Sequence, residues 1–391
     1  MREIINDKKL FKTIFKFNYY LFHLRVKNIS FPKFSKKDPK KFFKILNERV
    51  NNYFKENKIK KTGNWKLYLK STIIFSVFIV PYFMIMFLDL NQWVCLGLIM
   101  ITGVGMAGVG MNIMHDGNHG SFSSKRWVNK LMGSSIYVLA GNAYNWQIQH
   151  NVLHHTYTNI HGHDEDLAAG RILRFSEHTK WKPHHRFQHI YSFLLYGLMT
   201  INWAIVTDFF QTSRYIKQKL AFKKFINPFT QWMNLIFTKT IYYSIWIVIP
   251  MIYLDFAWWK ILIGFFIMHY TAGLILSTIF QLAHIVEKVE MPLPFKNLDM
   301  KNTWAIHQLF TTSNFSTNNK IMNWFSGGLN FQVEHHLFPN ICHIHYKKLS
   351  EIVRKTASEF QLPYNEYKTT RDAIKSHFLF LKSMAKKPVI V

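Results

Sequence analysis

The stretch LNQWVCLGLIMITGVGMAGVGMNIM, residues 90–114, runs for twenty-five positions without a charged side chain and leads directly into the motif HDGNH. A helix needs about 20 predominantly apolar residues to cross the hydrocarbon core of a bilayer, so this stretch predicts a membrane span. Residues 71–88 are also uncharged, and three further stretches of this kind lie at 191–207, 225–254, which only Lys239 interrupts, and 261–286. The sequence therefore predicts an integral membrane protein.

The charge of the chain is strongly unbalanced. Its 391 residues include 49 Lys and Arg against 21 Asp and Glu, a formal net charge of +28, while 49% of the residues are hydrophobic. So basic a total often indicates a nucleic-acid partner, but residues 1–67 alone hold 19 of the basic and 5 of the acidic residues, next to a predicted span. Basic residues at that place attract anionic lipid at about 1 kcal/mol each, so we expect a bilayer partner and no nucleic acid.

The connectors between the stretches predict the topology. The short links at residues 89–92 and 255–259 contain no Lys or Arg, whereas the long segments are basic, and basic segments stay on the cytoplasmic side. We expect an all-α membrane protein with four transmembrane helices in two hairpins and a helical cytoplasmic cap. The expected spans lie near 70–89, 93–114, 233–254 and 260–283, with an interfacial helix near 190–207. The expected domains are a basic N-terminal segment 1–67, a membrane domain 68–345 and a cytoplasmic C-terminal tail 346–391.

The predicted span at 93–114 contains several glycines. The segment GVGMAG, with Gly103, Gly105 and Gly108, matches a dinucleotide-binding fingerprint, but that fingerprint needs a preceding strand and a helix that begins at the glycines. Inside a membrane span, small residues instead let helices pack closely or leave room for an acyl chain.

Twenty histidines are present, and seventeen of them fall between His115 and His189 or between His284 and His345. Both clusters begin where a span reaches the predicted cytoplasmic face. Three groups have ligand spacing, because positions i, i+3 and i+4 share one face of a helix, and each group is expected to aim its nitrogens at one point. The first motif contains His115 and His119, the second contains His150, His154 and His155, and the third contains Gln332, His335 and His336.

Seven imidazoles exceed the needs of one tetrahedral zinc ion, so two metal ions are the economical interpretation. Imidazole suits zinc, copper, iron and nickel. The membrane location favours an oxygen-activating iron pair, although the ligand type by itself leaves copper or zinc open.

The motifs HDGNH, HNVLHH and QVEHH, with GGLNF directly before the third, resemble those of the membrane fatty acid desaturases, specifically the front-end group of delta-5 and delta-6 type. The similarity covers residues 65–350, and Gln332 in place of His is its most specific element. The resemblance implies a non-haem diiron centre that uses O2 and two electrons to remove two hydrogens from a fatty acyl chain, carried by coenzyme A or a lipid.

The resemblance also implies roles for individual residues. His115, His119, His150, His154, His155, His335 and His336 match the iron ligands of the family. His284 resembles an additional ligand of stearoyl-type desaturases, although Phe280 stands where their pattern has Asn. Gln332 occupies the variable position of the third motif and is expected to contribute to catalysis. The segment WAIHQLFTTSNF at 304–315 resembles a stretch that front-end desaturases carry before the third motif, without a role that the sequence defines.

Five carboxylates near the motifs are candidates to accept hydrogen bonds from ligand imidazoles, because a ligating histidine usually donates its other N–H. The alternative is that they are surface acids that balance a basic segment. These residues are Asp116, Asp164, Glu165, Asp166 and Glu334.

Front-end desaturases often carry a fused cytochrome b5 domain, but residues 1–67 contain only His23, and haem with two axial histidines needs two. We therefore expect a separate electron donor, like cytochrome b5 or ferredoxin. Two alternatives to the desaturase remain: a diiron fatty acid or sphingolipid hydroxylase, which product analysis separates, and a histidine-rich metal transporter. A transporter would place ligands at mid-membrane, where the spans offer only His269.

Overall fold

The computed structural model describes residues 30–38, 40–167 and 172–388, and these are mostly helical. The helices are α1 Phe42–Glu56, α2 Trp65–Phe87, α3 Gln92–His119, α4 Arg126–Ser134, α5 Ala143–Trp146 with its continuation Gln147–His154 and His155–Tyr157, α6 Pro183–Tyr196, α7 Met199–Gln218, α8 Pro228–Tyr253, α9 Trp258–His284, α10 Trp304–Thr311, α11 Lys320–Phe325, α12 Gln332–Leu337, α13 Tyr346–Glu359 and α14 Thr370–Met384. Two short strands, β1 Asn314–Phe315 and β2 Glu366–Tyr367, pair in parallel.

Four helices of the described residues are, by length and composition, each able to cross a membrane: α2, α3, α8 and α9. The prediction of four spans is confirmed to that extent. Two of them end beyond the expected spans, because α3 continues past Met114 to His119 and α9 ends at His284, one residue after the expected end. The membrane helices therefore carry histidines of the candidate site at their own ends.

Glycines on α3 allow its close packing against α2 and α9. A Cβ atom at Gly105 would lie 2.5 Å from the backbone nitrogen of Phe78 on α2, and one at Gly103 would lie 2.6 Å from the carbonyl oxygen of Met268 on α9. No side chain fits at such distances, so the interpretation of GVGMAG as a helix-packing segment is confirmed.

The structure divides the predicted interfacial helix near 190–207 in two. Helices α6 and α7 meet at an angle of 69°. The break packs on α9, where a Cβ at Gly197 would lie 2.3 Å from the ring of Tyr270, and Thr200 Oγ1 donates a 2.8 Å hydrogen bond to the carbonyl of His269. Composition shows an uncharged run, but it does not reveal a bend that packing against another helix imposes.

Lys239, the only charge in the run 225–254, is paired inside the protein. Its ammonium group lies 2.8 Å from Asp208 Oδ2 and donates to the carbonyl oxygens of Ala140 and Trp203, at 3.0 Å for Trp203. Removing one partner of such a buried pair typically costs about 3–5 kcal/mol. The ion pair thus joins α8 to α7 and to the segment before α5.

The C-terminal residues fold back onto the rest of the protein. Helix α13 packs on α1, whose inward face is Phe42, Leu46, Val50 and Phe54. Strand β2 pairs with β1 between α10 and α12, and α14 packs against α6 and α9. These contacts place the segment that contains the third histidine motif over the ends of α3 and α9.

Candidate metal centre

The first histidine motif lies at the end of a membrane helix. Residues Gly110–Met114 form one wider, π-helical turn of α3, and His115 and His119 follow it with ring centroids 4.7 Å apart. Helix α3 ends at His119, and the next residue, Gly120, adopts the left-handed conformation (φ 75°) that terminates helices. Such π-helical turns are frequent at functional sites.

The second motif lies on a helix that begins regularly and then widens. The side chain of Asn142 caps α5 by accepting hydrogen bonds from the N–H groups of Tyr144 and Asn145. Residues Gln147–His154 then form a π-helical segment, and His155 begins the last turn. The expectation of α-helical spacing for His150, His154 and His155 was therefore wrong.

The third motif lies on α12, a helix of six residues in which every side chain is buried. His284, the last residue of α9, is fully buried next to His154 and His336, with ring centroids 4.7 and 5.0 Å away. The structure therefore brings His284 together with the histidines of two motifs.

The histidines form two adjacent clusters whose ring nitrogens converge. In each cluster, one nitrogen per residue lies within 4.8 Å of the others. The first histidine group is His115, His119, His150 and His335, and the second histidine group is His154, His284 and His336. His155 lies between them, because its nitrogen also converges with those of His335 and His336.

The two groups do not follow the sequence motifs. His150 belongs to the first group and His154 to the second, and the neighbours His335 and His336 are divided in the same way. The expectation that each motif aims its nitrogens at one point is confirmed for the first motif. It holds only in part for the third, whose two histidines also converge with each other and with His155, and His150 and His154 of the second motif join different histidine groups. The π-helical segment of α5 and the short helix α12 each contribute to both groups.

Most ring nitrogens that face the centre of each group lack hydrogen-bond partners among the described residues, although His150 Nε2 lies 3.2 Å from His155 Nε2. Buried polar atoms are ordinarily paired, so a concentration of unpaired acceptors in one place fits metal binding. The unpaired atoms are both nitrogens of His115 and His284, Nδ1 of His155, and Nε2 of His119, His154, His335 and His336. The donor set therefore fits two metal ions that prefer imidazole.

Four imidazoles of the two histidine groups use one ring nitrogen for a hydrogen bond that fixes the ring. The partners are Asp166 for His150 (2.5 Å), Asp164 for His154 (3.0 Å), Tyr346 for His335 (3.2 Å) and Gln308 for His336 (2.9 Å). Two of the five candidate carboxylates, Asp164 and Asp166, thus contact histidines of the site as expected.

The other three carboxylates have different partners. Asp116 accepts hydrogen bonds from His343 and Cys342, and Glu165 accepts from Arg214 and Tyr215. Glu334 accepts from Asn314 and Tyr364, and burial raises its pKa to about 8. These acids hold the surrounding segments together without touching a ring of either group.

Two partners of the histidines were not identified from the sequence. Gln308 lies in the segment 304–315, which resembles desaturases, but no spacing rule connects it to His336, twenty-eight residues away. Tyr346 follows the third motif at the start of α13 and carries no signal at all. Both contacts depend on how α10 and α13 pack on α12.

Burial controls the protonation of the site outside the membrane helices. It lowers the pKa of four imidazoles well below the usual range, those of His154, His155, His335 and His336. Burial and the neighbouring Asp166 raise the pKa of Asp164. The imidazoles are therefore neutral, which is the form that binds metals.

Gln332 is only 1% exposed. It lies beside His284 of the second histidine group. A buried amide at this place can bind a metal ion or a water molecule, or contact a substrate.

Comparison with known proteins identifies the family to which a chain with these histidine groups is similar. Residues 91–368 match the family model described as fatty acid desaturase. The chain is 36% identical over 354 residues to the sn-1 linoleoyl-lipid 6-desaturase of Arthrospira platensis, which covers 89% of this chain and 93% of that protein.

Two other relatives have related activities. The sn-1 linoleoyl-lipid 6-desaturase of Synechocystis sp. is 34% identical, with 88% of this chain and 96% of that protein covered. The acyl-lipid (8-3)-desaturase of Physcomitrium patens is 32% identical, with 88% of this chain and 71% of that protein covered. Together with the four apolar helices and the histidine groups, these matches show that the chain belongs to the fatty acid desaturase family, in its front-end group, and is a membrane oxidoreductase that desaturates fatty acyl chains.

Proposed function

We propose that this protein desaturates the acyl chain of a membrane lipid by means of O2 and a pair of non-haem iron ions, and that it inserts the new double bond on the carboxyl side of an existing one. The observation that carries the proposal is the pair of adjacent histidine groups with unpaired nitrogens at the ends of two membrane helices. The relatives with the names given above act on acyl lipids, which favours a lipid over coenzyme A as the acyl carrier.

The proposed ligands divide between the two groups. One iron ion would be held by the first histidine group and the other by the second, with His155 able to serve either. When bound, the iron pair supplies the O2-dependent oxidation that removes two hydrogens from an unactivated acyl chain. Gln332 lies beside the second group and is the candidate for a weak or water-mediated ligand there.

The remaining residues of the site would keep the rings in place and exclude water. Asp166 and Asp164 accept the second N–H of His150 and His154, which fixes the tautomer that presents the other nitrogen to a metal. His335 and His336 are at most 1% exposed. This burial would protect the acyl chain from reactions that compete with desaturation.

The proposed topology places this site on the cytoplasmic side, with the four spans as two hairpins and the helices between α3 and α8 and after α9 as a cap. The short connectors α2–α3 and α8–α9 lack Lys and Arg, whereas the segments that carry the histidines are basic. Cysteine-accessibility labelling of intact cells at residue 90 and at residue 257 tests this orientation, because both connectors should react from outside.

We infer that the electrons come from a separate acidic protein. The chain carries a formal net charge of +28, which favours an acidic electron donor. Trp304 is half-buried near Phe43 of α1, and its indole N–H donates a 2.9 Å hydrogen bond to the carbonyl of His155. A donor that docks beside Trp304 would therefore lie close to the histidines.

Charge reversal near this place tests the donor surface. Lys40, Lys41 and Lys44 are exposed at the start of α1, and changing all three to Glu should raise the KM for the donor about tenfold at low salt, because complementary charge accelerates association. The matched control changes Lys386 and Lys387, which are exposed beyond the end of α14. Equal effects of the two variants, or turnover that is indifferent to salt, would contradict a specific surface on α1.

The structure disfavours the transporter alternative. His269, inside α9, is paired on both ring nitrogens, with Tyr242 Oη at 2.7 Å and Thr200 Oγ1 at 3.0 Å. It offers no free nitrogen for a metal ion in transit. A fatty acid hydroxylase would use the same histidines, and only the product distinguishes it from a desaturase.

Product analysis in a host that makes no polyunsaturated lipids tests the proposed function. Cells that express the chain are fed linoleic acid, and the new double bond is located by mass spectrometry in each lipid class. We expect the bond at position 6, first in intact membrane lipids, as the names of two relatives suggest. A hydroxylated product would favour the alternative reaction, and purified protein that holds only zinc after growth in iron-replete medium and makes no product would contradict both.

A further inference from the structure

The cytoplasmic end of α9 is capped by residues from other parts of the chain. The last carbonyl groups of a helix have no partner within the helix and must find one elsewhere when buried. The N–H of Ser313 donates to the carbonyl of Ala283 at 2.9 Å. The side chain of Asn159 donates to the carbonyl of His284 at 3.0 Å and to that of Glu290 at 3.1 Å.

Asn159 also contacts the residue that orients His154. Its backbone N–H donates to Asp164 Oδ2 at 2.8 Å, and Asp164 in turn accepts the hydrogen bond from His154 Nδ1 at 3.0 Å. Asn159 adopts the left-handed conformation (φ 59°), which Asn tolerates better than most residues. This conformation lets its N–H and its side chain act on two different segments.

The orientation of the Asn159 amide follows from its neighbours. Both groups near Nδ2 are carbonyl oxygens, which only accept hydrogen bonds, so the amide nitrogen must face them. Oδ1 is then left without a partner among the described residues, although the side chain is only 2% exposed. Asn159 therefore has an unpaired Oδ1 in the same orientation that lets Nδ2 donate to the carbonyls of His284 and Glu290.

We propose that Asn159 is a positioning residue that joins His154 to His284 and thereby sets the geometry of the second histidine group. The inference rests on the proposed metal centre and extends it. The rings of these two histidines are 4.7 Å apart, yet they come from α5 and α9, which are far apart in sequence. Asn159 is bonded to the carbonyl of one and, through Asp164, to the ring of the other.

The first histidine group is held by other contacts. Two of its members lie on α3 itself, and His150 and His335 are oriented by Asp166 and Tyr346. The hydrogen bonds of Asn159 go to Asp164, His284 and Glu290, none of which belongs to this group. Its loss should therefore affect one metal position and spare the other.

The test uses the full chain, purified in detergent, and measures metal content and binding in addition to turnover. Asn159→Gly retains the left-handed backbone and the N–H to Asp164, and it removes only the side-chain amide. We expect iron to fall from two ions to one per chain. An anaerobic Co²⁺ titration followed by absorbance should show one site unchanged and the other weakened about 10- to 100-fold, the range for residues that orient ligands.

Two further variants separate positioning from general stability. Asn159→Asp keeps the size of the side chain but places a carboxylate oxygen against two carbonyls, so it should also lose the second ion. Asn365 is the matched control, because its side chain likewise donates to two carbonyls, those of Leu309 and Thr312, neither of which belongs to a histidine. Asn365→Ala should retain two ions even if it lowers the melting temperature.

Three results would overturn the proposal. One is two ions and unchanged turnover in Asn159→Gly. Another is loss of both ions together in that variant. The third is parallel behaviour of Asn159→Gly and Asn365→Ala in metal content. Wild-type protein that never binds two ions would instead contradict the proposed metal centre itself, so the two failures are distinguishable.

Discussion

The first and second histidine groups are built on the same plan from different membrane helices. Each takes one residue from α5 and one from α12, but α3 completes the first group with two histidines and α9 completes the second with one. The first group thus obtains half of its rings from a single continuous helix. The second group has three rings, each from a different helix, and depends on the contacts that hold those helices together, so we expect it to be the more easily disrupted.

The largest expected effect comes from removing a ring of the second group. His154→Ala deletes a fully buried imidazole whose Nε2 faces the site, and desaturated product should fall below detection, by more than about 100-fold, a larger loss than for residues that only orient ligands. Iron content should fall to about one ion per chain. Membrane extraction and a western blot check that the protein still accumulates.

The corresponding variant in the first histidine group is His115→Ala. His115→Ala removes one of four converging rings, and loss of product with iron content still near two would show that the larger ligand set tolerates a missing ring. If His154→Ala also retained two ions, the assignment of His154 to a metal position would be wrong.

A smaller loss of metal affinity is expected when Asp164 or Asp166 is changed, and each change should affect a different metal site. Asp164→Asn weakens the hold on His154 of the second group, and Asp166→Asn weakens the hold on His150 of the first. Each should reduce the affinity of one metal site by about 10- to 100-fold. Metal titration of both variants under identical conditions measures this, and loss of the same site in both would contradict the division into two groups.

The smallest effect is expected at Tyr346. Tyr346→Phe removes the hydroxyl that contacts His335 Nδ1 at 3.2 Å and leaves the packing of the ring. A single hydrogen bond of this kind contributes about 1 kcal/mol, which corresponds to roughly a fivefold loss in affinity at the first group. Initial rates at limiting iron are the measurement. A loss as large as that in Asp166→Asn would mean that the phenol does more than orient the ring.

Much of the candidate site could be predicted from sequence because its residues lie close together within three short motifs. Seven histidines and His284 were identified from their spacing and from resemblance, and all eight lie in the two groups or between them. Asp164 and Asp166 were identified as candidates because they follow the second motif closely. Gln308 and Tyr346 were not, since they reach the histidines through packing of helices distant in sequence.

The fold likewise has features that the sequence predicts and features that it does not. Uncharged runs gave the four spans to within a few residues, because desolvation of charge in lipid is costly wherever the helix lies. The break between α6 and α7 and the π-helical turns of α3 and α5 were not predicted. They depend on which helix packs against which, and hydrophobicity alone does not specify that.

The sequence by itself determined that this protein lies in a membrane and that its histidines lie near the ends of the spans. It also determined which enzyme family the histidine motifs resemble. Only the tertiary structure decided how those histidines divide. Neighbours such as His335 and His336 point to different groups, and His154 meets His284 through Asn159 and Asp164. Spacing along a helix fixes the direction of a side chain relative to its own axis, whereas the position of a shared metal site depends on how several axes are packed together.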